Sequence, residues 1–94
     1  MRELNQFEVL FFHRPGSDKS KSLEKLREVV SSAFEVLGGE FIDVGQFSSC
    51  RQLVMFRATG SIFYASILDM EHSIRAMAPE KEFPWKRLGG LPVR

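Results

Sequence analysis

The sequence predicts an α+β domain, an antiparallel sheet with helices packed on one face. Three observations predict it. A β-rich run near the start carries Phe7, Val9 and Phe11 at alternate positions. A long segment then repeats apolar residues at helical spacing, from Leu23 to Leu37. Further β-rich runs and a second short helical pattern follow. The chain has 94 residues, which makes one domain. A domain of this size buries only roughly 60–65% of its unfolded surface, so helices or a neighbouring molecule must help cover the sheet.

Residues 6–13 read as the first strand. Phe7, Val9 and Phe11 fall on one face and Leu10 and Phe12 on the other. Apolar residues on both faces predict a central strand covered on both sides. Arg14-Pro15-Gly16-Ser17 is a turn. Residues 18–37 read as a helix, with Leu23, Leu26, Val30, Ala33 and Leu37 in one stripe and Val29 and Phe34 beside it. Asp18 or Ser20 can cap its start, and Gly38-Gly39 can end it, because a left-handed residue costs glycine nothing.

Residues 40–58 read as a long strand interrupted near Ser48-Ser49-Cys50, with Thr59-Gly60 as a hairpin turn and residues 62–68 as the next strand. Met70, Ile74 and Met77 set a short helix over 70–78, with Asp69 as its N-cap and Pro79 as its stop. Residues 80–94 form either a last irregular strand or an extended tail, so the domain proper is 1–80 and 81–94 its appendage. The order β-α-β-β-α, with a possible final β, is the ferredoxin-like plan. One sheet face is then free for RNA, a second protein or a second copy.

Composition narrows the function classes. Net charge is +1, so electrostatics alone do not mark a nucleic-acid binder, though a local cluster can still supply phosphate contacts. Nine Phe are more than a small core holds, which predicts aromatics beneath a partner. Cys50 is the one cysteine, which excludes an intrachain disulfide and a thiolate metal cluster. Val9-Leu10-Phe11-Phe12 is far too short to span a bilayer, and Met1 to Gln6 lack an apolar signal core. No membrane partner is expected.

Arg2, Phe7-Glu8-Val9, Leu23-Glu24-Lys25, Gly38-Gly39, Arg51 with Leu53 and Phe56, and Gly60 with Ile62-Phe63-Tyr64 follow one another in an order and spacing that, over about residues 1–70, resembles the ribosomal protein S-six family. The family opens with a basic residue and an aromatic-Glu-Val strand, and Arg2 and Phe7-Glu8-Val9 stand in those places. Leu23-Glu24-Lys25 matches its helix, and Gly38-Gly39 the glycine that ends it. Arg51, Leu53 and Phe56 fit its second strand, and Gly60 with Ile62-Phe63-Tyr64 fits the aromatic strand that follows a turn. The family's Gly-x-Arg-x-Leu-Ala-Tyr-Pro segment is degraded here to Ser49-Cys50-Arg51-Gln52-Leu53-Val54-Met55-Phe56. Such erosion suits an organellar, mitochondrial ribosome better than a bacterial one. The resemblance implies a structural constituent of the small subunit without catalytic activity, cofactor or small-molecule substrate. It implies rRNA and a neighbouring protein of the S-eighteen type as partners. Arg2 and Arg51 carry over as rRNA or partner contacts, and Phe63 and Tyr64 as part of the contact strand.

The residues also speak for themselves. Arg2, Arg51 and Arg57 on neighbouring strands can neutralise phosphates; the plainer alternative is solvated positions that blunt an edge. Lys86 and Arg87 beside Trp85 form an aromatic-basic tail suited to RNA or a partner surface, unless Trp85 packs back on the sheet. His13 and His72 lack companions for a metal site and are expected in surface or capping roles. Cys50 has no base close in sequence and reads as an inert thiol. The carboxylates Glu24 and Glu28 belong to ordinary helix-surface pairs. The alternative function is a free-standing ferredoxin-like interaction or regulatory module. An acylphosphatase-like enzyme would need an Arg–Asn pair on a phosphate, and Asn5 is the only Asn.

Overall fold

A computed structural model describes residues 3–14, 16–49, 54–78 and 84–93. The elements run β1 (Leu4–His13), α1 (Lys19–Val36), β2 (Glu40–Ser49), β3 (Val54–Phe63), a 3-10 turn (Tyr64–Ser66), α2 (Ile67–Met77) and β4 (Trp85–Val93). The four strands form one antiparallel sheet in the order β2-β3-β1-β4. A small α+β domain of this kind is compatible with the ferredoxin-like plan.

The core lies between the helices and one sheet face. Phe7, Val9 and Phe11 of β1 and Phe56, Ala58 and Ile62 of β3 point into it, together with Leu26, Val30, Ala33 and Phe34 of α1 and Met70 and Ile74 of α2. The strand β1 is central, as its apolar content predicts. It is covered on one side only among the described residues: Leu10 and Phe12 are half-buried on the sheet's outer face, where no described helix lies over them.

The helix α1 begins where Asp18 Oδ1 accepts a hydrogen bond from the Lys21 N–H at 3.2 Å, satisfying one orphan donor. It ends in a Schellman-type turn: Gly38 takes φ +74°, its N–H donates to the Glu35 carbonyl, and the Gly39 N–H donates to the Phe34 carbonyl. The ring of Phe34 then lies against Gly60 of β3, where a Cβ would stand 2.5 Å from Phe34 Cε1. Gly60 is therefore a mid-strand glycine that lets the helix approach the sheet. The expected turn at Thr59-Gly60 is overturned. The hairpin break instead falls between Ser49 and Val54, where the expected contact Arg51 lies outside the described residues.

The expected strand over 62–68 is likewise corrected. After Phe63 the chain turns through a 3-10 segment and enters α2 at Ile67. Ile67, Met70 and Ile74 share one face, and their burial outweighs the local β-forming residues. Asp69 sits in the first turn of α2 rather than capping it, where its charge suits the positive helix end.

The tail question resolves as a strand. β4 pairs with β1 from Gln6↔Val93 to His13↔Trp85, with a bulge at Leu10/Phe11. Trp85 is buried edge-on against Phe11, ring centroids 5.0 Å apart. The outer edge strand β2 carries two irregularities against β3, between Phe41 and Asp43 and between Gln46 and Ser48. The extra residues are Ile42 and Phe47, and both are exposed. An added residue breaks the alternation locally and re-aims side chains, which accounts for two large apolar groups facing out.

Candidate functional site

The outer face of the sheet is the candidate site. Strand alternation places Gln6, Glu8, Leu10 and Phe12 of β1 there, opposite Ser61, Thr59, Arg57 and Met55 of β3. From β2 come Asp43 and Gly45, and from β4 come Lys86, opposite Phe12, and Gly89, opposite Leu10. The face combines an apolar patch of Leu10, Phe12 and Met55, all half-buried, with two cationic side chains on separate strands.

Arg57 is the best-defined of these groups. Its guanidinium carbon stands 4.9 Å from the centroid of the exposed Phe47 ring, a cation–π contact. Its Nη1 lies 3.9 Å from the Glu8 carboxylate, a loose and half-exposed pair that holds it weakly. A polar depression of about 120 Å³ opens beside it, lined by Asp43, Gly45, Gln46, Arg57 and Thr59. A second, of about 230 Å³, adjoins it across Thr59 and is bounded by Gln6, Glu8 and Ile42. Asp43 at the rim is 3.4 Å from Arg27 of α1, whose Nη2 also donates to the Val44 carbonyl at 2.6 Å.

The remaining expected contacts divide. Lys86 is exposed on the outer face, as a phosphate contact requires. Arg87 faces inward, mostly buried and ion-paired to Glu71 of α2. It is withdrawn as an rRNA contact, because its charge already has a carboxylate. Trp85 is withdrawn as a partner contact, because it is 2% exposed and belongs to the core. Tyr64 is exposed but sits in the 3-10 turn, not on a contact strand. Phe63 ends β3, half-buried, its ring close to the turn at Gly38. Arg2 and Arg51, the other two of the expected trio with Arg57, lie outside the described residues.

His13 departs from its expected surface or capping role. It is buried beside Phe56, and its Nε2 shares a 3.0 Å hydrogen bond with Ser22 Oγ of α1. Burial pushes its pKa below the ordinary value, Lys19 pushes the same way and Asp18 opposes. His72 is exposed on α2. Among the described residues no three His, Cys, Asp or Glu come together to hold a metal. Also among them, no helix is long and apolar enough to cross a membrane.

Phe47, Gln46, Asp43 and Gly45 are the residues that sequence reasoning missed. Their signal was a glycine and polar residues within a strand otherwise marked by Phe41 and Val44, which is the pattern of a bulged edge strand. A scan against protein-family models and a search of curated proteins found no match to the chain.

Proposed function

We propose that this chain is a binding and assembly protein of the ribosomal S-six type. It is a constituent of the small ribosomal subunit, the mitochondrial one by preference, and holds rRNA beside a neighbouring protein of the S-eighteen type. The observation that carries the reading is the outer face, left uncovered by the described residues, where Arg57 and Lys86 flank Leu10, Phe12 and Met55. Cations spread over separate strands suit phosphate contacts, which position a protein on RNA without reading sequence. The apolar patch between them suits a protein neighbour, and half-buried aromatics on a small sheet gain from being covered. The strand order β2-β3-β1-β4 supports a ferredoxin-like scaffold for that face.

Sedimentation of a lysate containing the tagged chain tests the reading. The chain should travel with small-subunit particles and be released by RNase or high salt, since phosphate contacts weaken steeply with ionic strength. A chain that remains at the top of the gradient under every salt condition overturns the ribosomal assignment. A complex that survives RNase intact would favour the protein-interaction module instead, in keeping with the apolar part of the face.

A further inference from the structure

Five of the seven glycines have a local reason to be glycine. Gly16 and Gly38 take positive φ. Gly39 and Gly60 lie against the Phe34 ring, and Gly90 against Phe7. Gly45 and Gly89 have neither reason: a Cβ on either would meet nothing within 4 Å. They fall on one rank across the outer face, Gly45 beside Arg57 and Gly89 beside Leu10, with Arg57 and Leu10 paired between them. Glycine in a strand marks a bulge or the close approach of a ligand or another backbone; each of these two adjoins a bulge, and together they also leave the rank open to an approaching group.

The depression at Gly45 narrows what approaches. It is an open depression of about 120 Å³, space suited to a small planar group rather than to a whole helix. Its lining offers a carboxylate (Asp43), an amide (Gln46), a hydroxyl (Thr59) and a guanidinium already resting on an aromatic ring. A bare phosphate would meet the Asp43 carboxylate. A nucleobase suits these groups better, stacking on the Arg57 guanidinium that Phe47 backs while its polar edge meets donors and acceptors. Only an unpaired base can enter, because in a duplex that edge is occupied.

We propose that this depression takes one base of a single-stranded RNA, and that the strand crosses the sheet over Leu10 and Gly89 toward Lys86, a site that presupposes the RNA-binding reading above. Each strand step across a sheet is about 4.8 Å, so Lys86 lies roughly 10–12 Å from Arg57, within reach of the next one or two phosphates.

The test is fluorescence anisotropy of the full chain with a labelled single-stranded RNA of about ten nucleotides and the same sequence as a duplex. Gly45→Val and Gly89→Val fill the rank at positions where an added Cβ meets nothing within 4 Å, and melting curves that match the wild type show that the fold is kept. Arg57→Lys keeps the charge and loses the planar stacking surface. Gly45→Val and Arg57→Lys should each weaken single-strand binding by roughly tenfold or more, while duplex binding is weak throughout. Gly89→Val should weaken it less. Equal affinity in a folded Gly45→Val chain, equal affinity for duplex, or no affinity for single strands overturns the site. If Gly45→Val melts early, Arg57→Lys decides alone. A wild-type chain that sediments with small subunits yet binds no single strand removes this site and leaves the assembly reading standing. Failure in both experiments removes both.

Discussion

The seat of β4 on the core rests on one close approach, and Gly90→Ala tests it. Gly90 pairs with Val9, and a Cβ there would stand 2.7 Å from Phe7 Cζ, with Val9 Cγ2 at 3.3 Å. The ring of Phe7 has to shift to admit the methyl, and its room is small: it is 4% exposed, meets Phe34 edge-on with centroids 6.5 Å apart, and has beside it a cavity of only about 20 Å³. Overpacking of this kind costs about 1–3 kcal/mol. Loss of glycine's freedom in the unfolded chain returns about 0.4–1 kcal/mol. The net expectation is a destabilisation of about 1–2 kcal/mol, or with a urea slope near 1 kcal/mol/M a midpoint lowered by about 1–2 M. Phe7→Leu alone should also destabilise, by about 1–2 kcal/mol, through the lost aromatic pair and imperfect refilling. In the double variant the ring tip is gone and the new methyl occupies its place. The two costs should fall short of additivity by about 1 kcal/mol or more. Urea unfolding of the four proteins at one pH closes the cycle. A raised midpoint for Gly90→Ala, or costs that add to within about 0.3 kcal/mol, would refute this packing of β4.

Two further predictions follow from buried polar groups. The folded chain holds His13 neutral, its pKa lowered first by burial and then by Lys19. The unfolded chain therefore binds the proton more readily, and stability is complete above about pH 6.5 and falls as pH drops through the lowered folded value. Urea midpoints between pH 7.5 and 5 should decline, and His13→Gln should flatten the part of that decline due to this group; an unchanged profile would show that His13 does not titrate differently in the two states. On α2, Glu71 is ion-paired to both Arg87 and Arg75 and accepts a hydrogen bond from Arg87, but Arg87 is 20% exposed and its Nε is buried without a partner among the described residues, whereas Arg75 is 67% exposed. Glu71→Gln should cost roughly 1–3 kcal/mol and Arg75→Ala within about 0.5 kcal/mol in thermal melts, and the reverse order would contradict the pairing.

Much of the scaffold was legible because local and tertiary signals agree. The stripe from Leu23 to Leu37, the Asp18 cap and the Gly38-Gly39 stop all specify α1, and the observed helix Lys19–Val36 follows them. The central position of β1 could be read from its two apolar faces. The misreadings share a cause. Gly60 looks like a turn residue until Phe34, far away in sequence, is known to need its missing side chain. Ile67 and Leu68 look like strand until Met70 and Ile74 draw the segment into a helix over the core. The site was less legible. Arg57 and Lys86 could be named from sequence, but Phe47 reaches Arg57 because a bulge shifts β2, and the glycine and polar residues there hint at a bulge without fixing which residue it turns outward. Trp85 and Arg87 looked like a sticky tail because their burial depends on β4 finding β1.

That pairing has a kinetic consequence. The strand β1, from the start of the sequence, takes both its neighbours, β3 and β4, from the second half, and β2 and β3 are the one strand pair here that follow each other without an intervening helix. The hairpin and α1 can assemble early from nearby residues, but β1 stays open along one side until β4 closes the longest loop in the domain. Until then Phe11 has no indole against it and an unpaired backbone faces solvent at the centre of the molecule. Slow refolding with a late quench or shift of the lone tryptophan's fluorescence is the expected trace of that final closure, and the interval before it is when the chain is most open to capture by other strands.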